Sequence, residues 1–452
     1  MFAKVLIAAR GEIALRIART CERMGIATLA VHGEGEAAAS HVAACDEAAS
    51  IASASPHGLD PAALIAAAKQ HGAEAIHPGA GELCQDVGFA RAAREAGLVL
   101  VGPPSETLER CADRPSNQEL ARQAGIRPLP GCTLDTSSPE TVLDRAREVG
   151  YPLLVRAEGA RASESISVDS EDELPEALER CRNGSSVAHV HAELWLDRPR
   201  LLSVQLMADD RDPIALGDVE HSLELEGRAL LEEMPAPALT GVRGDRKRFA
   251  LRDAAVRIAK EAGLLGAAVA EFVLDTEGRL YFTALRAGLA IEHALVEMCT
   301  GLDLVEIQLL IAAGERLPAA VLQAQATGNA IEARIYAENA PNGTASGSPE
   351  ITVLRWPMVA PGRLRIETDL AAGSRAPADS DPLVARVIAY GPTRHQAVLT
   401  LDRVLAEAML EPLTTNLQFV REILGDESFR AGHFHNGFAA RLLVELKTRT
   451  SA

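Results

Sequence analysis

From Lys4 to about residue 112, short apolar runs alternate with helical periodicity. Lys4-Val-Leu-Ile-Ala-Ala9 reads as a buried strand, Gly11 to Met24 as a helix, and Gly25-Ile-Ala-Thr-Leu-Ala-Val31 as the next strand. Further units follow at Glu74-Ala-Ile-His77 and Gly97-Leu-Val-Leu-Val-Gly102, after which the turn Gly102-Pro-Pro-Ser105 opens a helix at Glu106. This alternation predicts a doubly wound, Rossmann-like α/β unit. Such a unit hosts many chemistries and does not by itself name one.

The chain has 452 residues, enough for two or three domains with substantial cores. Aromatic residues make up only 3% of it, so the cores must be Ala, Leu and Val, which suits helices packed on sheets. A formal net charge of −18 repels a phosphate backbone and argues against a nucleic-acid partner. It does not exclude ATP, for which a few cations in a cleft suffice. No apolar run approaches the roughly 18 to 20 residues that span a bilayer, so no membrane partner is expected. The start Met-Phe-Ala-Lys-Val-Leu-Ile lacks a signal-peptide pattern, and the seven cysteines include no close CxxC pair. Together these point to a reducing, cytoplasmic compartment.

A second stretch carries chemistry. Ala268-Val-Ala-Glu-Phe-Val-Leu274, the turn Asp275-Thr-Glu-Gly278 and the run from Leu280 to His293 predict a hairpin with inward side chains on a common pocket. One carboxylate, Glu271, stands on the first strand, and the second offers Thr283, Ala284, Arg286 and Gly288.

Several ordered motifs carry a family resemblance: Ala8-Ala-Arg-Gly-Glu-Ile-Ala-Leu-Arg-Ile17, His77-Pro-Gly-Ala-Gly-Glu-Leu83, Val101-Gly-Pro-Pro-Ser105, Gly150-Tyr-Pro152, Leu231-Glu-Glu-Met-Pro-Ala-Pro-Ala-Leu239, Gly266-Ala-Ala-Val-Ala-Glu-Phe272 and Ile331-Glu-Ala-Arg-Ile-Tyr-Ala-Glu338. With Glu292-His293, Glu297-Met298, Thr300 to Val305, Asp381 and Asn416, they span nearly the whole chain. In order and spacing the chain resembles biotin carboxylase, the ATP-grasp component of acetyl-CoA carboxylase and related biotin-dependent carboxylases. The resemblance implies an N-terminal α/β domain over residues 1–112, an ATP-grasp domain over 113–325 with a lid at about 133–204, and a mixed α/β C-terminal domain over 326–445.

The resemblance also implies a site. Phosphoryl transfer needs Mg2+ between carboxylates and phosphates, with cations around the triphosphate. Two lysines of relatives are here Arg114 and Arg156, which either touch phosphate or solvate a cleft edge. The hinge Glu193-Leu194-Trp195-Leu196 stands at the adenine-binding segment, where contacts are largely backbone and apolar, although Trp195 could also be core. Glu271 keeps one metal carboxylate, whereas Ala284 replaces its partner glutamate and Arg286 the neighbouring asparagine. Gly288 replaces a bicarbonate-binding arginine and Ala290 a glutamine.

The glycine run of the family lid is replaced by Arg156-Ala-Glu-Gly-Ala-Arg-Ala-Ser-Glu-Ser-Ile166, whose side chains crowd the phosphate approach. Leu225, Glu226, Gly227, Arg228 and Ala229 replace Arg-Arg-His-Gln-Lys, so a catalytic lysine is lost at Ala229. Glu292, matching the base that deprotonates bicarbonate, and Arg334, matching the arginine that stabilises the biotin enolate, persist as catalytic residues or as an inherited ion pair. His77 and His293 are expected to serve packing or hydrogen bonding. Asp381 matches a structural acid near the pocket, while Ala80, Ala378 and Ser380 stand where relatives carry tyrosines. Arg16, Arg19 and Arg23 share a helix face at the family's homodimer surface and would repel across a two-fold unless paired.

Three functions compete. The first is a degenerate, non-catalytic structural or regulatory subunit beside a biotin carboxylase, biotin carrier protein or carboxyltransferase, with ATP and Mg2+ binding weakened. The second is an active ligase, either a biotin carboxylase using ATP, bicarbonate and biotin on a carrier with rearranged contacts or a related ATP-grasp enzyme with another acid substrate. The third is a nucleotide-sensing module. Joint loss of lid glycines, lysine, metal carboxylate and bicarbonate arginine favours the first.

Overall fold

The computed structural model describes every residue except 52, 56–57, 136–138, 158–164, 184–188, 340–343, 346–348, 376–381 and 451–452. The N-terminal alternation folds as expected into a parallel sheet, in the order Glu47–Ser50, Ala27–His32, Lys4–Ile7, Ala75–His77, Val99–Leu100, of which the edge strand Glu47–Ser50 is additional to the four expected. The helix Gly11–Met24 ends at Gly25, whose left-handed φ of 70° lets its N–H reach back to the last carbonyls. Leu6, Leu29, Ile76 and Phe89 fill one face of this sheet, and Ile7 and Ile17 join the core shared with the central region.

Two larger sheets build most of the rest, beside three two-stranded ones among the described residues. A four-stranded sheet orders Ile166–Val168, Leu153–Ala157, His189–Leu194 and Gly131–Asp135, covered by the helices Pro139–Val149 and Leu174–Asn183. Its own small core of Leu134, Val155, Val168, Leu174 and Val190 makes it a separate lid. The main sheet is antiparallel and eight-stranded, in the order Leu280–Ala287, Gly266–Leu274, Arg200–Ala208, Pro213–Leu225, Arg228–Met234, Asn329–Tyr336, Leu383–Gly391, Leu364–Glu367.

Two differences from expectation follow from this sheet. The strand Arg200–Ala208 belongs to it, between Pro213–Leu225 and Gly266–Leu274, although the lid was expected to run to residue 204. Leu202, Ser203, Val204, Gln205 and Leu206 are buried in succession, as befits a strand covered on both faces. The C-terminal region, moreover, is joined to the central one by backbone hydrogen bonds: Asn329–Tyr336 pairs with Arg228–Met234 on one side and Leu383–Gly391 on the other. The lid strand Ile166–Val168 was not foreseen, being only three residues long.

The arginine stripe of the first helix is paired within the chain, so the expected repulsion does not arise. Buried Arg16 contacts Glu297 at 2.7 Å and Asp303 at 2.8 Å. Arg19 reaches Glu367 at 3.3 Å, and Arg23 reaches Asp303 at 2.8 Å and Glu306 at 2.5 Å. All seven cysteines are free thiols. Among the described residues, no helix is long and apolar enough to cross a membrane.

Candidate active site

The predicted hairpin forms, with Gly266–Leu274 antiparallel to Leu280–Ala287. Its register sets Glu271 opposite Ala284 and Val269 opposite Arg286. Arg286 is therefore diagonal to Glu271 on the same face, within reach of a long side chain. Its Nε donates to Glu271 Oε1. The charge of Glu271 first, and that of Glu292 after it, hold the guanidinium above its ordinary pKa, against the effect of burial. Thus the carboxylate expected to bind metal is occupied by a cation, and the residue facing it is a buried alanine. Among the described residues, no group of three or more His, Cys, Asp or Glu side chains is arranged to hold a metal ion.

Just past this strand, Gly288 has φ +104°. A Cβ there would lie 2.6 Å from Cys84 Cβ and 3.2 Å from its Sγ. Cys84 is buried and donates to Gly79 O at 3.2 Å, so the space beside residue 288 is filled from the N-terminal domain.

A second group lies where the lid meets the central region. Arg114 opens the helix Arg114–Gln123, whose first turn is capped by Asp113. Arg114 Nη1 lies 2.6 Å from Glu193 Oε1, and Arg156 Nη2, from the lid strand, lies 3.9 Å from Glu193 Oε2. Burial pushes the Glu193 carboxyl up, but His191, Arg114 and Arg156 together hold it below its ordinary value. Burial lowers the Arg156 guanidinium, and the charges of Arg114 and Arg286 lower it further, against Glu193. The hinge glutamate thus gathers both arginines through its side chain, whereas sequence reasoning assigned it backbone and apolar contacts. Leu194 N–H donates to Pro130 O and Trp195 N–H to Pro152 O, each at 2.9 Å. Trp195 is 37% exposed, which corrects the expectation that it could be core. Leu196 N–H, at the end of the hinge, has no hydrogen-bond acceptor among the described residues.

The third group surrounds Glu292 and Arg334. Arg334 Nη2 donates to Glu232 Oε2 at 2.6 Å, and its Nε lies 3.5 Å from Glu332 Oε1. Fully buried Arg386 joins Glu332 at 3.4 Å to Glu12 at 3.1 Å. Burial and the Glu232 charge raise the Glu292 carboxyl, against the pull of Arg334. Burial drives Glu332 up to about 7, with Arg386 opposing. Sequence reasoning missed Glu232, Glu332, Arg386 and Glu12. Glu232 and Glu332 lay in quoted motifs, but only the strand register, which sets them opposite each other, reveals the cluster. His221 was missed as well; its charge acts on both Glu292 and Glu224.

The remaining expectations divide. Buried His77 accepts from Gly79 N–H at 3.1 Å, and burial takes its imidazole down to about 3, as suits a structural histidine. His293 Nδ1 sits 2.8 Å from Ala290 O in an equally buried setting. Ala229 lies beside the hairpin turn Glu226-Gly227, and its carbonyl accepts from Tyr336 Oη at 3.0 Å. Neighbouring Arg228 is bound to Glu338 at 2.5 Å. The altered lid stretch 158–164 and Ala378, Ser380 and Asp381 lie outside the described residues.

Family models match three segments in order: biotin carboxylase, N-terminal domain, over residues 1–108; carbamoyl-phosphate synthase L chain, ATP binding domain, over 113–320; and biotin carboxylase C-terminal domain over 332–441. Biotin carboxylase 1 of Bacillus subtilis is 33% identical over 449 residues, covering 97% of this chain and 98% of that protein. The methylcrotonoyl-CoA carboxylase alpha subunit of Rattus norvegicus is also 33% identical, but this chain spans only 61% of its length. Among solved structures, the biotin carboxylase domain of Hydrogenobacter thermophilus 2-oxoglutarate carboxylase, in complex with MgADP, ADP and bicarbonate, superposes with a TM-score of 0.90. It is 30% identical, with 98% of each chain covered.

Proposed function

We propose, for a chain that belongs to the biotin carboxylase family, that it keeps the family's nucleotide cleft but does not carry out bicarbonate-dependent carboxylation, and that it serves as a structural or regulatory subunit of a biotin-dependent carboxylase. The fold and topology are those of biotin carboxylase domains solved with ADP and bicarbonate. One contact carries the non-catalytic reading: Arg286 holds Glu271, the carboxylate that would bind metal, while Ala284 offers no second ligand. Phosphoryl transfer rests on positioning and charge neutralisation, and losing one such contact costs about 3 kcal/mol of transition-state stabilisation. The family resemblance adds two further losses of charge, at Gly288 and Ala229. The partner would be a biotin carboxylase, a biotin carrier protein or a carboxyltransferase.

The comparisons with known proteins support the second reading, an active ATP-dependent ligase with rearranged contacts, better than the first. The chain matches such enzymes over nearly its full length. Glu292 and Arg334 also remain, with burial and the Glu232 charge raising the Glu292 carboxyl against the charge of Arg334. Bicarbonate-dependent ATP hydrolysis by the purified chain with free biotin decides between them. Turnover at the level of an active relative establishes the ligase. Background turnover, with co-purification of a carrier or carboxyltransferase, supports the subunit.

A further inference from the structure

We propose that this cleft takes a nucleoside polyphosphate without a divalent cation, the Arg286 guanidinium standing as a fixed positive charge where a carboxylate-bound magnesium would stand. The inference rests on the retained nucleotide cleft of the preceding subsection. Its basis is three guanidiniums from three separate elements: Arg114 from a helix start and Arg156 from the lid sheet meet on Glu193, and Arg286 from the hairpin sits on Glu271. Arg114 and Arg286 are both close enough to Arg156 to disfavour its charge. Arg114 and Arg156 share the single carboxylate of Glu193, and a polyanion would offset the positive charge that this leaves in excess.

The donors needed are present. Arg286 spends its Nε on Glu271 and is 55% exposed, and its Nη groups donate to no side chain among the described residues. The Arg156 guanidinium makes no hydrogen bond among the described residues, its 3.9 Å approach to Glu193 being an ion contact only. Guanidinium forks suit phosphate oxygens geometrically.

A magnesium ion fits poorly in the same place. It would meet Arg286 as a like charge, would have to displace that residue from Glu271, and would find Ala284 across the strand pair. The next carboxylate, Glu224, is raised by burial and accepts from Asn436 at 3.2 Å. Because a chelated triphosphate carries less negative charge than a free one, magnesium should weaken binding to this cationic cluster.

Isothermal titration of the full chain with ATP tests this, once after removal of divalent ions on a chelating resin and once in excess magnesium. The metal-free dissociation constant should be lower by about threefold or more. Arg286→Asn, at a half-exposed position, should weaken metal-free binding about tenfold while leaving the melting temperature unchanged. Ala284→Glu combined with Arg286→Asn should restore a preference for magnesium. Tighter binding of wild type in magnesium, or an Arg286→Asn variant that binds as wild type does without metal, would overturn the proposal while leaving nucleotide binding intact. Absence of binding in both conditions overturns the retained nucleotide cleft and this inference with it.

Discussion

Replacing Gly288 by alanine should destabilise the protein although it adds a single methyl group. Two costs combine. At φ +104° an L-residue is strained, which costs about 1–3 kcal/mol. The new Cβ would meet Cys84 Cβ at 2.6 Å, and overpacking of a closed site costs a further ~1–3 kcal/mol. The sum, about 2–6 kcal/mol, is a large part of a typical total stability of about 5–15 kcal/mol. Urea unfolding of the full chain measures it, read on the earliest transition because the molecule has more than one core. Cys84→Gly removes the colliding atom and should recover the packing share in a double-mutant cycle, with a coupling of at least about 1 kcal/mol, but not the backbone share. A Gly288→Ala variant within about 0.5 kcal/mol of wild type would refute the reasoning. The same collision awaits any side chain, so the arginine carried here by relatives cannot be restored by one substitution: residue 84 has to change with it.

Arg16→Ala should cost about 1.5–3 kcal/mol, because it removes the buried arginine shared by Glu297 and Asp303 while Glu297 keeps Arg365 and Asp303 keeps Arg23. Burial pushes the Asp303 carboxyl up, but Arg16 together with hydrogen bonds from the Glu306 N–H and Thr20 more than offsets this and holds it well below its ordinary 3.8. Its contribution is therefore present above pH 3.8 and lost as pH falls toward the folded-state value, so the stability gap between wild type and Arg16→Ala should narrow in chemical unfolding below that pH. Glu332 behaves oppositely. With its folded pKa raised by burial from 4.5 to about 7, its contribution is full below pH 4.5 and lost as pH rises to about 7; Glu332→Gln should flatten that decline in a melting-temperature profile. Trp195, exposed on the hinge, should report nucleotide by a change in tryptophan emission that Trp195→Phe abolishes. A signal that survives would place the response at Trp356 instead.

Much of the fold was legible locally. Four of the five N-terminal strands and the first helix follow from short apolar runs punctuated by turns, and the hairpin around Asp275 follows from alternating residues beside an acidic-glycine turn. Ile166–Val168 was not legible because three residues carry too little periodicity, and Arg200–Ala208 was misassigned because its buried run suits any covered sheet. At the site, motif spacing located Glu271, Arg286, Glu292 and Arg334 but did not disclose their partners.

The order of elements, the family and the identity of each altered position are properties of the sequence by itself, since they depend on spacing and residue type. Partnership is decided only in three dimensions. Arg16, Arg19 and Arg23 are a repelling stripe on an isolated helix and a paired one in the fold, because Asp303, Glu306 and Glu367 arrive from elements hundreds of residues away. Arg286 was one substitution among several until strand register placed it on Glu271, and Glu193 was a hinge residue until two arginines met on its carboxylate. Coulomb energy depends on distance through space, not along the chain, so the charge state of the cleft could be read only once the sheets were assembled.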